Sequence, residues 1–151
     1  MMVERGTYLV ADLYDGDYIL EVGPGLGYSE EVLRKAEMTT QVQRDGFEKA
    51  VAAGVRLAFG SDACVFPHGL QGRQFALYVK HGLTPAQAIQ SATRWAAELM
   101  GWEDRVGTVA AGTYADLVAV AGDPTADITL LEGNLKVMTA GRWFTKPQPS
   151  Y

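Results

Sequence analysis

Apolar and polar positions follow two rhythms along this chain. Thr7 to Leu13 (TYLVADL) and Val55 to Phe59 (VRLAF) are short, nearly continuous runs rich in β-forming residues, as expected of strands covered on both faces. Helical spacing fills most of the rest. Val3 to Gly6 reads as a helix end with Gly6 after its last turn, and Ser29 caps a helix that persists to Gly54. Leu70 to His81 is amphipathic and stops at Gly82. Thr84, Pro85 and Gln87 then open another helix in the N-cap, N1 and N3 positions, and Gly101 ends it. In that helix Ala88, Ile89, Ala92, Trp95, Ala96, Leu99 and Met100 recur at helical spacing and are expected in the core. From Val106 the pattern changes to short β-prone runs broken by Gly, Asp and Pro. Val109, Leu117, Val118 and Val120 are inward candidates, and a hairpin is expected around Ala140-Gly141. Pro147 to Tyr151 reads as a loose tail. Strands alternating with helices, followed by a β-rich segment, make the class α/β.

Composition narrows the partners. A chain of 151 residues, 48% hydrophobic, can bury one core. The net charge of -5, with no long basic block, speaks against nucleic acid or an anionic membrane surface. No apolar run approaches the length of a membrane span, and the first residues show no secretory pattern. Cys64 is the single cysteine, so no intrachain disulfide can form and a cytoplasmic, reducing location is expected.

Two stretches suggest chemistry. The first, YDGDYILEVGPGLGY, is expected to be a loop, with Asp12, Asp15 and Asp17 as solvated acids near a strand end; it lacks the spacing and closing Glu of a calcium loop. Within it, Ile19 to Gly27 (ILEVGPGLG) ahead of a helix resembles the first motif of S-adenosylmethionine-dependent methyltransferases. That motif needs a strand, a glycine turn and a helix N-terminus, with an acidic strand end roughly 20 residues on. The chain offers helix instead of that second strand, so the methyltransferase stands as a minor alternative.

The second stretch is Val55 to Gly69 (VRLAFGSDACVFPHG), which ends an apolar strand on Gly60-Ser61 and delivers Asp62 where the strand stops. GSDA after such a strand, then PHG, resembles the eighth barrel strand of the metal-dependent amidohydrolases, in the branch of Xaa-Pro dipeptidases, arginine/lysine carboxypeptidases and imidazolonepropionase relatives. The string TPAQAIQSATRWAAELMGWEDRVG is similar to that family's last barrel helix and the segment leaving it. The pattern G-x-V-x-x-G-x-x-ADLVAV followed by DP is similar to the return strands of its small β-sandwich.

The resemblance implies a C-terminal part of a (β/α)8 TIM-like amidohydrolase barrel over 1–104, holding strands seven and eight. Return strands of a β-sandwich would follow over 105–146, and a tail over 147–151. It implies two zinc ions per complete site, Asp62 as metal ligand and general acid/base, and a small peptide or amide substrate. The family's HxH pair, carboxylated lysine and histidine ligands have no counterpart here, because the only histidines are His68 and His81. The isolated chain is therefore expected to be inactive, about the last third of such an enzyme. His68 in the PHG turn and Tyr14 beyond the first strand are weak candidates for substrate contact. His81 reads as a helix-end residue and Cys64 as a small buried one. Asp62, Cys64 and His68 together match no standard zinc spacing. Two strands of a barrel leave edges open, so a homo-oligomer is expected. A non-catalytic, oligomerising fragment that buries Tyr8, Val10 and Leu57 is the second reading.

Overall fold

β1 (Tyr8–Ala11) and β2 (Arg56–Phe59) lie side by side and parallel in the computed structural model, which describes residues 1–133 and 135–144. Tyr8 pairs with Arg56 and Ala11 with Phe59, so the two strands end level. Parallel neighbours need a crossover, and this one is built from α2 (Tyr14–Val22) and α3 (Glu30–Ala52). Ahead of β1, α1 (Met2–Arg5) ends on Gly6 at φ 62, the left-handed cap expected of it. Ser29 caps α3 by accepting from Val32 N. Thr84 and Gln87 form the expected capping box at the start of α5 (Pro85–Ala92).

α4 (Arg73–Lys80) ties the strands together. The core gathers Ala11, Leu13, Phe47, Leu57, Tyr78, Leu83 and Ala88. The Tyr78 hydroxyl donates to Ala11 O at 2.6 Å, and burial pushes its phenol up to about 12. Gln74, fully buried, uses both ends of its amide. Its Oε1 accepts from Leu13 N at 2.7 Å and from Tyr14 N at 3.2 Å, just beyond β1. Its Nε2 donates to Ala11 O at 3.3 Å and to Gly60 O, just beyond β2. Gly60 N also donates to Ala11 O at 3.0 Å, an approach open only to glycine because a Cβ would sit 2.9 Å from that oxygen.

α6 (Arg94–Met100) follows α5 after a break at Thr93, and Gly101 closes it at φ 68. Beyond it, β3 (Leu117–Ala119), β4 (Lys136–Thr139) and β5 (Arg142–Trp143) form an antiparallel sheet in that order. Ala140 and Gly141 make its hairpin turn, both at positive φ as a type I′ turn requires. A 3₁₀ helix, Ile128–Glu132, packs on the start of α4, where a Cβ on Gly72 would collide with Leu131 O.

Several expectations need correction. Tyr14–Val22 is helix rather than loop, with acidic Asp15 and Asp17 in its first turn. This removes the methyltransferase reading, because Ile19 to Val22 is not a strand and cannot feed a glycine turn. The single helix expected to Gly101 is two, because Thr93 leaves helical geometry (φ -125, ψ -95) and its hydroxyl bonds back to Ile89 O at 2.8 Å. Ala88 and Ala97 of that stretch are buried and Trp95 half-buried, but Leu99 and Met100 are exposed. Val109, which lies outside the small sheet, and Val118 in β3 are also exposed. Leu57 is already buried within the chain and offers nothing to a partner, whereas Val10 is half exposed. Cys64 is exposed, not buried. The expected tail, 147–151, lies outside the described residues.

Gln74→Glu tests the latch with almost no change of shape. The new oxygen would face Ala11 O and Gly60 O with no proton to give, leaving two buried acceptors against a carboxylate. The variant is expected to lose about 3 kcal/mol in urea unfolding at neutral pH. Part of that loss returns in acid, where the protonated carboxyl can donate.

Candidate active site

The level ends of β1 and β2 decide which side chains meet. Asp12 directly follows β1, and Asp62 lies three residues after β2. Chain leaving parallel strands at their carboxyl ends converges, which is why chemistry collects there in α/β proteins. Asp15, one turn further on in α2, joins them: one carboxylate oxygen from each of Asp12, Asp15 and Asp62 lies within 4.8 Å of the others. Asp17 does not join, because it pairs with Arg44 of α3. That side of α2 meets α3 closely, with Gly16 packed on Thr40 so tightly that a Cβ would collide with the hydroxyl.

Asp62 is held in an uncommon backbone state. Its φ of 45 is left-handed, a conformation Asp tolerates better than most side chains. Cys64 N and Val65 N both donate to its carbonyl, at 2.8 and 3.1 Å, so a tight turn fixes it. Strain of this kind concentrates at functional sites. The acids also strain one another. Burial pushes the Asp12 carboxyl above the ordinary value, with the Asp62 charge adding to it. Burial likewise raises Asp15, reinforced by Asp12 and Asp62. Asp15 Oδ1 is buried and meets no donor among the described residues. Three converging carboxylates, one of them with an unpartnered buried oxygen, fit a cation. They are fewer than the four ligands of an ordinary zinc site, and all are carboxylates.

The other candidates are placed as follows. His68 is exposed on the loop after Asp62, its Nδ1 3.2 Å from Gln71 Nε2. Tyr14 is buried, its ring edge-on to Phe66 at 4.9 Å and its hydroxyl accepting from Arg73 at 2.8 Å. Cys64 and His68 do not converge with Asp62: among the described residues the aspartates form the one group of three potential ligands. His81 caps α4 as expected and pairs through Nδ1 with Glu48 at 2.8 Å. A concavity of about 340 Å³, lined by Tyr8, Arg56, Leu83, Trp95 and Glu98, opens at the opposite, amino ends of the strands. Its volume suits a ligand, but it holds none of the converging acids.

Asp12 and Asp15, expected as solvated acids, are half-buried and converge with Asp62. The available signal was positional: Asp12 stands at the end of one apolar strand as Asp62 stands after the other.

The raised carboxyls fix the sign of a pH effect. A group whose pKa is higher folded than unfolded costs stability once ionised, and that cost vanishes below the unfolded value of 3.8. Asp12→Asn is therefore expected to raise the thermal midpoint at pH 7. The gain should shrink to nothing as pH falls below 3.8 in parallel melts of variant and wild type.

The model of the amidohydrolase family matches residues 1–144. A crystal structure of a Xaa-Pro dipeptidase with methionine bound in its active site is 37% identical, with a TM-score of 0.86 over 96% of this chain. A prolidase complexed with N-methylphosphonate-L-proline is 29% identical (TM-score 0.84), and a putative prolidase from Bifidobacterium longum is 26% identical (TM-score 0.84); each is matched by 96% of this chain. This chain spans only 36%, 36% and 37% of those three. A comparison with curated proteins gave no match. The strand pair, its helices and the small antiparallel sheet thus form part of a shared fold, and the chain belongs to the amidohydrolase family.

Proposed function

We propose that this chain carries the last two strands, seven and eight, of an amidohydrolase barrel followed by sandwich return strands. In that arrangement it serves the hydrolysis of an amide C–N bond in a small peptide-like substrate. The observation that carries the reading is Asp62, held at φ 45 at the carboxyl end of a parallel strand, with Asp12 and Asp15 oxygens within 4.8 Å. The dipeptidase and prolidase relatives favour a dipeptide as substrate.

Asp62 would hold a divalent metal, zinc by family likeness, with Asp12 and Asp15 near enough to share its charge. When bound, such a metal polarises the scissile carbonyl and makes water a better nucleophile at neutral pH. Asp62 then takes the proton from the attacking water on one oxygen and returns it to the leaving amine nitrogen, an ordinary base-then-acid cycle. The chain supplies three carboxylate oxygens and no nearby histidine among the described residues, so the remaining ligands come from outside this segment and the segment alone does not turn over.

The open edges of the two-stranded sheet and half-exposed Val10 favour association of this segment, either with a second copy or with the rest of a barrel.

In an enzyme that assembles this segment with the remaining barrel, Asp62→Asn is expected to lower kcat by about 10²–10⁴-fold while circular dichroism and melting stay near wild type. Turnover close to wild type would overturn the assignment. Elemental analysis of the dialysed 151-residue chain is expected to find well under one zinc per chain. A tightly held stoichiometric zinc would show that the aspartates recruit ligands from another copy.

A further inference from the structure

The loop between Asp62 and α4 contains a hydrogen-bonded chain whose direction can be read from one end. Gly69 N can only donate, and it donates to Gln71 Oε1 at 2.6 Å. That bond fixes the carboxamide, because swapping its ends would set an NH₂ against an N–H. The group facing His68 is therefore the NH₂, with Gln71 Nε2 3.2 Å from His68 Nδ1. An NH₂ donates, so Nδ1 must accept, and the single proton of the neutral ring is left on Nε2. His68 is exposed, and no bond to its Nε2 occurs among the described residues. Gly69 makes the geometry possible with a φ of +104, which a side chain would strain.

The loop is not free to swing away from the acids. Phe66, buried in its middle, packs edge-on to Tyr14 at 4.9 Å and against Tyr18 at 6.0 Å, both on the helix that carries Asp15. Gly72 at its end is pressed against Leu131. The loop is thus fastened at the end of the strands where Asp12, Asp15 and Asp62 meet.

We propose that Gln71 is a positioning residue that locks His68 in the Nε2–H form. The ring then presents a neutral N–H donor to an oxygen acceptor of the substrate, an amide carbonyl or a carboxylate. A neutral donor suits a mouth already rich in negative charge, because it binds oxygen without being captured by the aspartates. The substrate half of this proposal rests on the amidohydrolase reading above; the tautomer half does not.

The test is long-range proton–nitrogen correlation NMR on the uniformly ¹⁵N-labelled chain, recorded across an alkaline pH series until the imidazole signals no longer move with pH. His81 is an internal contrast: its Nδ1 lies 2.8 Å from the Glu48 carboxylate, which only accepts, so it should carry its proton on Nδ1. His68 is expected to show a pyrrole-type Nε2 and a pyridine-type Nδ1. Free imidazole side chains already lean that way, so the deciding variant is Gln71→Glu. Its carboxylate would draw the proton to Nδ1 and invert the His68 pattern, a swing of roughly tenfold in tautomer ratio. Should Gln71→Glu disturb the backbone amide spectrum, Gln71→Met serves instead. It removes the donor at nearly the same shape and should return His68 to a mixture of forms. An unchanged His68 pattern in a folded variant overturns the lock.

Titrations of the wild-type chain with N-methylacetamide and with acetate then read the substrate half. A saturable shift of His68 Nε2 with the amide supports a carbonyl acceptor, and one with acetate supports a carboxylate. No shift with either overturns the substrate role while leaving the tautomer result standing. Neither outcome depends on whether the chain binds metal or hydrolyses anything.

Discussion

The fold depends on one side chain that has to satisfy four backbone groups at once. Where β1 and β2 end, the ladder stops and their terminal N–H and C=O groups are buried with no further strand partner. Gln74 reaches from α4 with one acceptor and one donor end and meets Leu13 N, Tyr14 N, Ala11 O and Gly60 O. Buried backbone groups left unpaired are costly, so this contact decides that the chain can leave both strands at the same level. Tyr78, one turn later on the same helix, adds its hydroxyl to Ala11 O. The helix that follows β2 therefore fixes the exit of β1 as well.

The acids exist at the expense of that order. Asp12, Asp15 and Asp62 are brought together by the level strand ends, and burial and mutual repulsion raise the first two. Among the described residues nothing donates to Asp15 Oδ1. The same tension explains why Asp17, only two residues away, behaves differently: turned to the other side of α2, it finds Arg44 and becomes an ordinary interhelical pair.

What could be read from the sequence was what lies in local chemistry. Strands at Tyr8–Ala11 and Arg56–Phe59, the caps at Ser29 and Thr84, and the hairpin at Ala140-Gly141 follow from residue type and spacing within a few positions. Family likeness added Asp62 as the residue to watch. The misses share one cause, which is that their outcome is set by neighbours distant in sequence. The DGD stretch looks like a loop until α2 is packed on α3, where Gly16 is small enough to rest on Thr40. Thr93 breaks a well-patterned helix where Gly107 settles against its carbonyl, 2.9 Å from the position a Cβ would take. Asp15 has no sequence cue that separates it from Asp17; three-dimensional placement alone makes one a site residue and the other a strut.

The Ala11 carbonyl takes donors from Gly60 N at 3.0 Å, Tyr78 Oη at 2.6 Å and Gln74 Nε2 at 3.3 Å. Asp12 hangs from the next peptide. An oxygen gripped from a loop and from two successive turns of one helix has very little compliance, so the Asp12 carboxylate inherits the stiffness of the core rather than the softness of a loop. Slow local breathing, which usually begins in connecting segments, then bypasses this joint. The same stiffness holds Asp12 in place beside Asp15 and Asp62, so the spacing of the three carboxylates is set by the core and not by what approaches them.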